Sequence, residues 1–201
     1  MITLKTVWKS AVILAAFGSN CVTKLTRESL DESDGRRATE IIAFAINLEH
    51  IGDIIDKNLI ELANKKIKHK YEFSKDGAAE LESFYKRIIE NLKLAFSVFM
   101  NGNVPIARTL IEEKTQLRNL ELSYAESHLA RLREGRPESI ETSSLHLDVL
   151  RDLKRIHSHI CSAAYPVLEV AGELQPNRLK ESDATIARES TPDALPPTQS
   201  P

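Results

Sequence analysis

Cysteine is scarce: Cys21 and Cys161 are the only two in 201 residues. Two thiols cannot build a disulfide framework, and these lack metal-finger spacing, so a reducing compartment is expected. An excess of charge is missing too. With 27 Lys and Arg against 29 Asp and Glu the formal net charge is −2, so no broad basic face for nucleic acid is expected. Any anion site has to be local. Catalytic signatures are also lacking. There is no Gly-rich phosphate loop followed by Lys and Ser or Thr, no histidine pair at i and i+4, and no elbow presenting a nucleophilic serine.

Long apolar runs are absent as well. The best, Ala11 to Phe17 within MITLKTVWKSAVILAAFGSNC, is far short of the roughly 20 residues that span a bilayer. It resembles a weak signal peptide, but Asn20 before Cys21 suits neither cleavage nor lipidation, both of which favour a small residue there. Residues 1–21 are therefore expected to be a short apolar helix on the bundle or a stretch outside any stable structure.

What the sequence does have is helical period almost everywhere and strand period almost nowhere. DESDGRR at 31–37 breaks the pattern, with Gly35 as punctuation, and a helix is predicted from Arg37 to Lys66. Its apolar stripe is Ile41, Phe44, Ala45, Leu48, Ile51, Ile55, Leu59 and Leu62. KKIKHKYEF at 65–73 reads as a basic connector. Ser74 caps a second helix with the stripe Leu81, Phe84, Ile88, Leu92, Ala95 and Phe99. Asn101, Gly102, Asn103 and Pro105 stop it and start another, from about Val104 to Arg133.

Gly135 and Pro137 close that third helix, and a Ser and Thr cluster at 139–144 opens a last one. Its stripe runs Leu145, Val149, Leu153, Ile156, Ile160, Ala163 and Val167. Beyond it, five of the eight prolines fall between Pro176 and Pro201. Residues 175–201 cannot bury enough apolar surface to offset the entropy of ordering, so a disordered tail is expected. Long helices with short connections predict an all-α, up-and-down antiparallel bundle.

One stretch, NLEHIGDIID at 47–56, carries acidic side chains one turn apart. At about 100° per residue, Glu49, Asp53 and Asp56 lie on the shoulder of the apolar stripe. Carboxylates on a shoulder can hold a metal between bundle helices. Lys57, four residues after Asp53, offers the plainer alternative of an exposed ion pair.

NLEHIGDII resembles the signature helix of the PhoU family, in which an acidic residue, three others and then Asp sit in a string like DLERIGDHA. RDLKRIHSHI at 151–160 matches the same string with substitutions. The longer stretches LTRESLDESDGRR, EIIAFAINLEHIGDIIDKNL and REGRPESIETSSLHLDVLRDLKRIHSHI are similar to the PhoU-like cytoplasmic region of bacterial Na/Pi cotransporter-family proteins. The likeness covers residues 22–174. It implies one three-helix bundle plus a truncated partner bundle, at the inner face of the plasma membrane. The implied partner is a Na/Pi cotransporter membrane domain, and the implied cofactor is a divalent metal or iron at Glu49 and Asp53. No transporter helices precede the domain, so a fragment or detached paralogue is expected, with no transport of its own.

The sequence departs from the family pattern in its second copy, where Lys154 and Ser158 replace the carboxylates. Lys114 and Arg118 likewise stand where the family usually has acidic support. Such cations supply donors where carboxylates supplied acceptors, making Lys114, Arg118 and Lys154 a candidate anion site, with phosphate as the obvious ligand. A solvated face is the competing reading. His157 and His159, about 200° apart on a helix, cannot readily share one ion and read as packing or surface histidines.

The expected function is thus a non-catalytic regulatory or interaction module associated with sodium-dependent phosphate uptake. A purely structural bundle that homodimerises through its truncated first half is the alternative, and a small metal-carboxylate enzyme is a third, poorly equipped reading.

Overall fold

The computed structural model describes residues 31–174. The apolar run Ala11–Phe17, Cys21 and the proline-rich tail lie outside the described residues. Those described are helical, with no strand among them. In chain order they form α1 (Glu32–Asp53), a π-helical segment (Ile54–Leu59), α2 (Ile60–Lys68), α3 (Lys75–Asn101), α4 (Val104–Arg133), α5 (Pro137–Glu141), α6 (Ser143–Cys161) and α7 (Ala164–Val170).

Helices α3, α4 and α6 pack on one another as a three-helix bundle, which α7 continues against α4 and α3. The continuous α1–π–α2 rod lies along α6. Asn47 meets His159 while Asn58 meets Asp152, so the rod and α6 run antiparallel. The all-α bundle expected from the periodicity is what the chain forms. Phe84, Leu110, Leu117, Leu150 and Ile160 are buried at its centre, each contributing about 1.5–3 kcal/mol of transfer free energy.

Helix α1 is pinned to α3 at one end. The Phe44 ring stacks on Phe99 with centroids 4.1 Å apart and meets Phe96 edge-on at 5.5 Å. Arg37 lies over the Phe99 ring and donates to the Phe99 carbonyl at 2.8 Å.

Local chemistry explains the boundaries. The Ser74 hydroxyl accepts from Gly77 N–H and the Asn103 side chain from Ile106 N–H, each satisfying a first-turn donor. Gly102 ends α3 with φ at +62°, a conformation glycine adopts without a Cβ penalty.

Three elements differ from the sequence reading. DESDGRR is the start of α1 and not a break: Asp31 accepts from Asp34 N–H as N-cap, and Glu32 and Asp34 sit in the first turn, where the helix dipole favours carboxylates. KKIK belongs to α2, so the connector begins only at His69. The last helix is interrupted at Ser162–Ala163, because Pro166 has no N–H to give the Ser162 carbonyl and its ring crowds that turn.

Candidate functional site

Glu49 and Asp53 lie at the C-terminal end of α1, and Asp56 falls in the π-helical segment that begins directly after Asp53. Ile60 N–H bonds the Ile55 carbonyl, five residues back, so one extra residue is accommodated in the turn. This turn buries Ile54 and Ile55 together against α6. It also directs Asn58 inward, where its Nδ2 donates to both Asp152 carboxylate oxygens at 3.2 Å. Asp152 is buried and is held besides by Arg155 at 3.0 Å.

Glu49, Asp53 and Asp56 are exposed. Asp53 takes the Lys57 ammonium at 2.8 Å, and that hydrogen bond is the main reason the lysine's pKa is raised. Glu49 and Asp53 are two oxygen donors one turn apart. Among the described residues, no three His, Cys, Asp or Glu side chains converge as a metal cluster. The pair fits a loosely held, hydrated cation and does not amount to a closed ligand set.

The three cations of the candidate anion site take different partners. Lys114 on α4 is half-buried, donates to the Tyr165 hydroxyl at 2.9 Å and stands over that ring at 5.3 Å. Lys154 on α6 donates to Glu121 at 2.8 Å. Arg118 is exposed, as is Ser158.

The two histidines of the second string have separate surroundings. His157 is buried, and its Nε2 accepts from Asn91 Nδ2 at 2.9 Å. Burial holds its pKa down at about 4, with nearby Lys114 and Arg87 acting the same way against Glu113. His159 is half-buried on the α1 side, with its Nδ1 2.9 Å from Asn47 Oδ1. Burial, then the neighbouring His50 and Arg155, push its pKa below the usual histidine range.

Two polar networks in the bundle interior were not anticipated from sequence. In the first, Arg87 grips Glu113 through two bonds of 2.8 and 2.9 Å, and Asn91 joins Glu113 to His157. The Arg87 bond keeps the Glu113 carboxyl below its ordinary pKa, outweighing burial. Cys161 lies 3.5 Å from His157 Nε2, and burial raises its thiol to about 12, which leaves it un-ionised and unreactive.

In the second, Arg131 binds both oxygens of Glu80 at 2.7 Å and also the Ser127 hydroxyl at 2.8 Å. His146 Nε2 stands 3.4 Å from Glu80, and its ring stacks on His128 at 4.7 Å and 8°. Burial lowers both histidines, His146 to about 4. Burial alone would raise Glu80, but Arg131 and Ser127 hold its carboxyl below normal. One cue to these networks was present in the sequence: Asn91 occupies a stripe of Phe84, Ile88, Ala95 and Val98. A polar residue in such a place requires a buried partner.

Both networks, and the second signature string on α6, fall in the α3–α7 bundle. The family model for the PhoU domain matches residues 81–167, covering most of α3 and all of α4 to α6. The chain carries a PhoU-like domain. The chain is 43% identical over 150 residues to the "Putative inorganic phosphate export protein YjbB" of Escherichia coli O157:H7. That alignment takes in 75% of this chain and 28% of the relative. The protein of the same name from Salmonella typhimurium is 42% identical over 146 residues, 73% of this chain and 27% of its own length. The chain thus spans little more than a quarter of the curated relatives it matches. No solved structure matches.

Proposed function

We propose that this PhoU-like module serves phosphate homeostasis as a non-catalytic regulatory part, docking at the cytoplasmic face of a phosphate-transporting membrane domain of the Na/Pi cotransporter type. The observation that carries the reading is the 43% identity over 150 residues to a far longer protein whose name states phosphate export. Among the described residues no helix is long and apolar enough to cross a membrane. Docking would leave chemistry to the partner and give this bundle control of it. A divalent metal or iron at Glu49 and Asp53 belongs to the same proposal, as does phosphate at Lys114, Arg118 and Lys154. The metal would compete with Lys57 for Asp53, and the anion with Glu121 for Lys154.

The test is co-purification of the full chain with the part of a YjbB relative that the alignment leaves uncovered, followed by phosphate flux in vesicles with and without the bundle. Retention together with a changed flux supports the reading. Failure to associate, with flux unaltered, removes it.

A second reading, homodimerisation through the α1–α2 rod, is favoured by Ile42 and Ile46. These stand one turn apart on α1 at 39% and 45% exposure. Light scattering that gives a dimer mass, lost in Ile42→Ser/Ile46→Ser, would establish it.

A further inference from the structure

We propose that His50 of α1 and His159 of α6 form a seat for a borderline transition metal such as zinc, nickel or copper. The inference stands apart from the phosphate reading and from the carboxylates of the acidic motif.

The geometry starts with two rings from residues far apart in sequence whose centroids lie 5.1 Å apart, tilted by 37°. Imidazole nitrogens bind zinc at about 2.0–2.1 Å, and two such rings on a tetrahedral ion place their centroids about 5 Å apart. The 5.1 Å spacing leaves room for one ion between the two rings.

His159 is oriented for the task. Asn47 Nδ2 donates to the Ala43 carbonyl at 2.8 Å, which fixes the amide and turns Oδ1 toward His159. That oxygen can only accept, so His159 Nδ1 carries the hydrogen of the 2.9 Å bond. In the neutral ring Nε2 is then the bare nitrogen, and among the described residues nothing hydrogen-bonds it. A ring N–H held by an oxygen while the other nitrogen stays free is how proteins present ligating histidines.

Charge and access agree with this role. His50 is exposed, so an ion can enter from solvent. Glu49 is the neighbour of His50 on α1, while Asp53 is taken by the Lys57 ammonium at 2.8 Å. Arg155, the nearby cation, has Asp152 to pair with at 3.0 Å. Nitrogen ligands select borderline metals over magnesium or calcium, which prefer oxygen. Since no third such side chain converges among the described residues, water fills the remaining coordination positions.

The test is calorimetric titration of the untagged full chain with zinc at neutral pH, in excess magnesium. One zinc per chain is expected, with His50→Ala and His159→Ala each abolishing uptake. His50→Ala, being an exposed change, should leave the metal-free melting temperature unaltered, which separates ligand loss from unfolding. Asn47→Ala should weaken zinc by about 10-fold, the usual effect of losing the partner that orients a ligand. Glu49→Ala/Asp53→Ala should retain the zinc. The proposal is overturned if the wild-type chain takes up no zinc, if uptake survives His50→Ala, or if it is lost only with the carboxylates.

Discussion

Arg131 and Glu80, 51 residues apart in sequence, meet through two parallel 2.7 Å hydrogen bonds where their side chains are only 4% and 12% exposed. They tie the start of α3 to the end of α4. An ion pair so placed is weak evidence of net stabilisation, yet removing one partner strands a charge and costs about 3–5 kcal/mol. Arg131→Ala is therefore expected to lower the urea midpoint sharply, whereas Glu80→Leu/Arg131→Met should recover most of the loss. Equal loss in single and double variants would contradict the stranded-charge account.

Acid should destabilise the bundle well above the pH at which its histidines titrate in place. His146 and His157 have folded-state pKa values near 4, below the roughly 6.5 of an unfolded chain. Between those values the unfolded chain binds more protons, so stability falls as pH drops from about 6.5 to 4. Each of these buried rings accounts for at most about 3 kcal/mol of that loss. Glu80 and Glu113, both held below normal, add to it at the acid end. Denaturation midpoints measured across this range should slope with pH, and His146→Gln/His157→Gln should flatten the upper part of the slope.

Two glycines should respond oppositely to alanine. At Gly35, inside α1, a Cβ meets nothing within 4 Å, so Gly35→Ala should stabilise by about 0.5–1 kcal/mol through helix propensity. At Gly77 the Cβ would stand 3.1 Å from Ser74 Oγ and 3.3 Å from His146 Nδ1. The first is the cap of α3 and the second is packed on all sides. Gly77→Ala is expected to lower the melting temperature while Gly35→Ala raises it.

Cys161 should resist thiol reagents in the native protein. Its sulfur is buried against Leu110 and His157, and its pKa is raised to about 12, so almost no thiolate forms at neutral pH. In a Cys21→Ser background, labelling by a disulfide-exchange reagent should begin only when denaturant unfolds the bundle. Rapid labelling under native conditions would mean that α6 opens locally.

The helices were legible from apolar stripes in three of them and from recognisable ends in the fourth, Val104–Arg133. Those ends and the Ser74 cap follow directly from capping chemistry. The phase of α3 was less so: its buried line runs through Phe84, Ile88, Asn91, Ala95 and Val98, while Leu92 and Phe99 sit at its edge. Large apolar residues on the flank pulled the reading around the helix. Helix α6 buries a wider arc, including His146, Asp152 and His157, because it faces α1, α3 and α4 together. The Glu80–Arg131 and Arg87–Glu113 pairs join different helices and leave no periodic trace along either one.

The π-helical turn after Asp53 works as a one-residue clutch. A single added residue turns everything downstream by about 100° relative to an uninterrupted α-helix. The facing of the acidic motif and that of Ile60–Lys68 are therefore separately adjustable. Deleting one residue ahead of Asn58, within Ile54–Lys57, is expected to change the face that Asn58 presents to Asp152. Comparisons of this helix across related chains consequently need a gap permitted at this turn, or the residues beyond it will be matched to the wrong face.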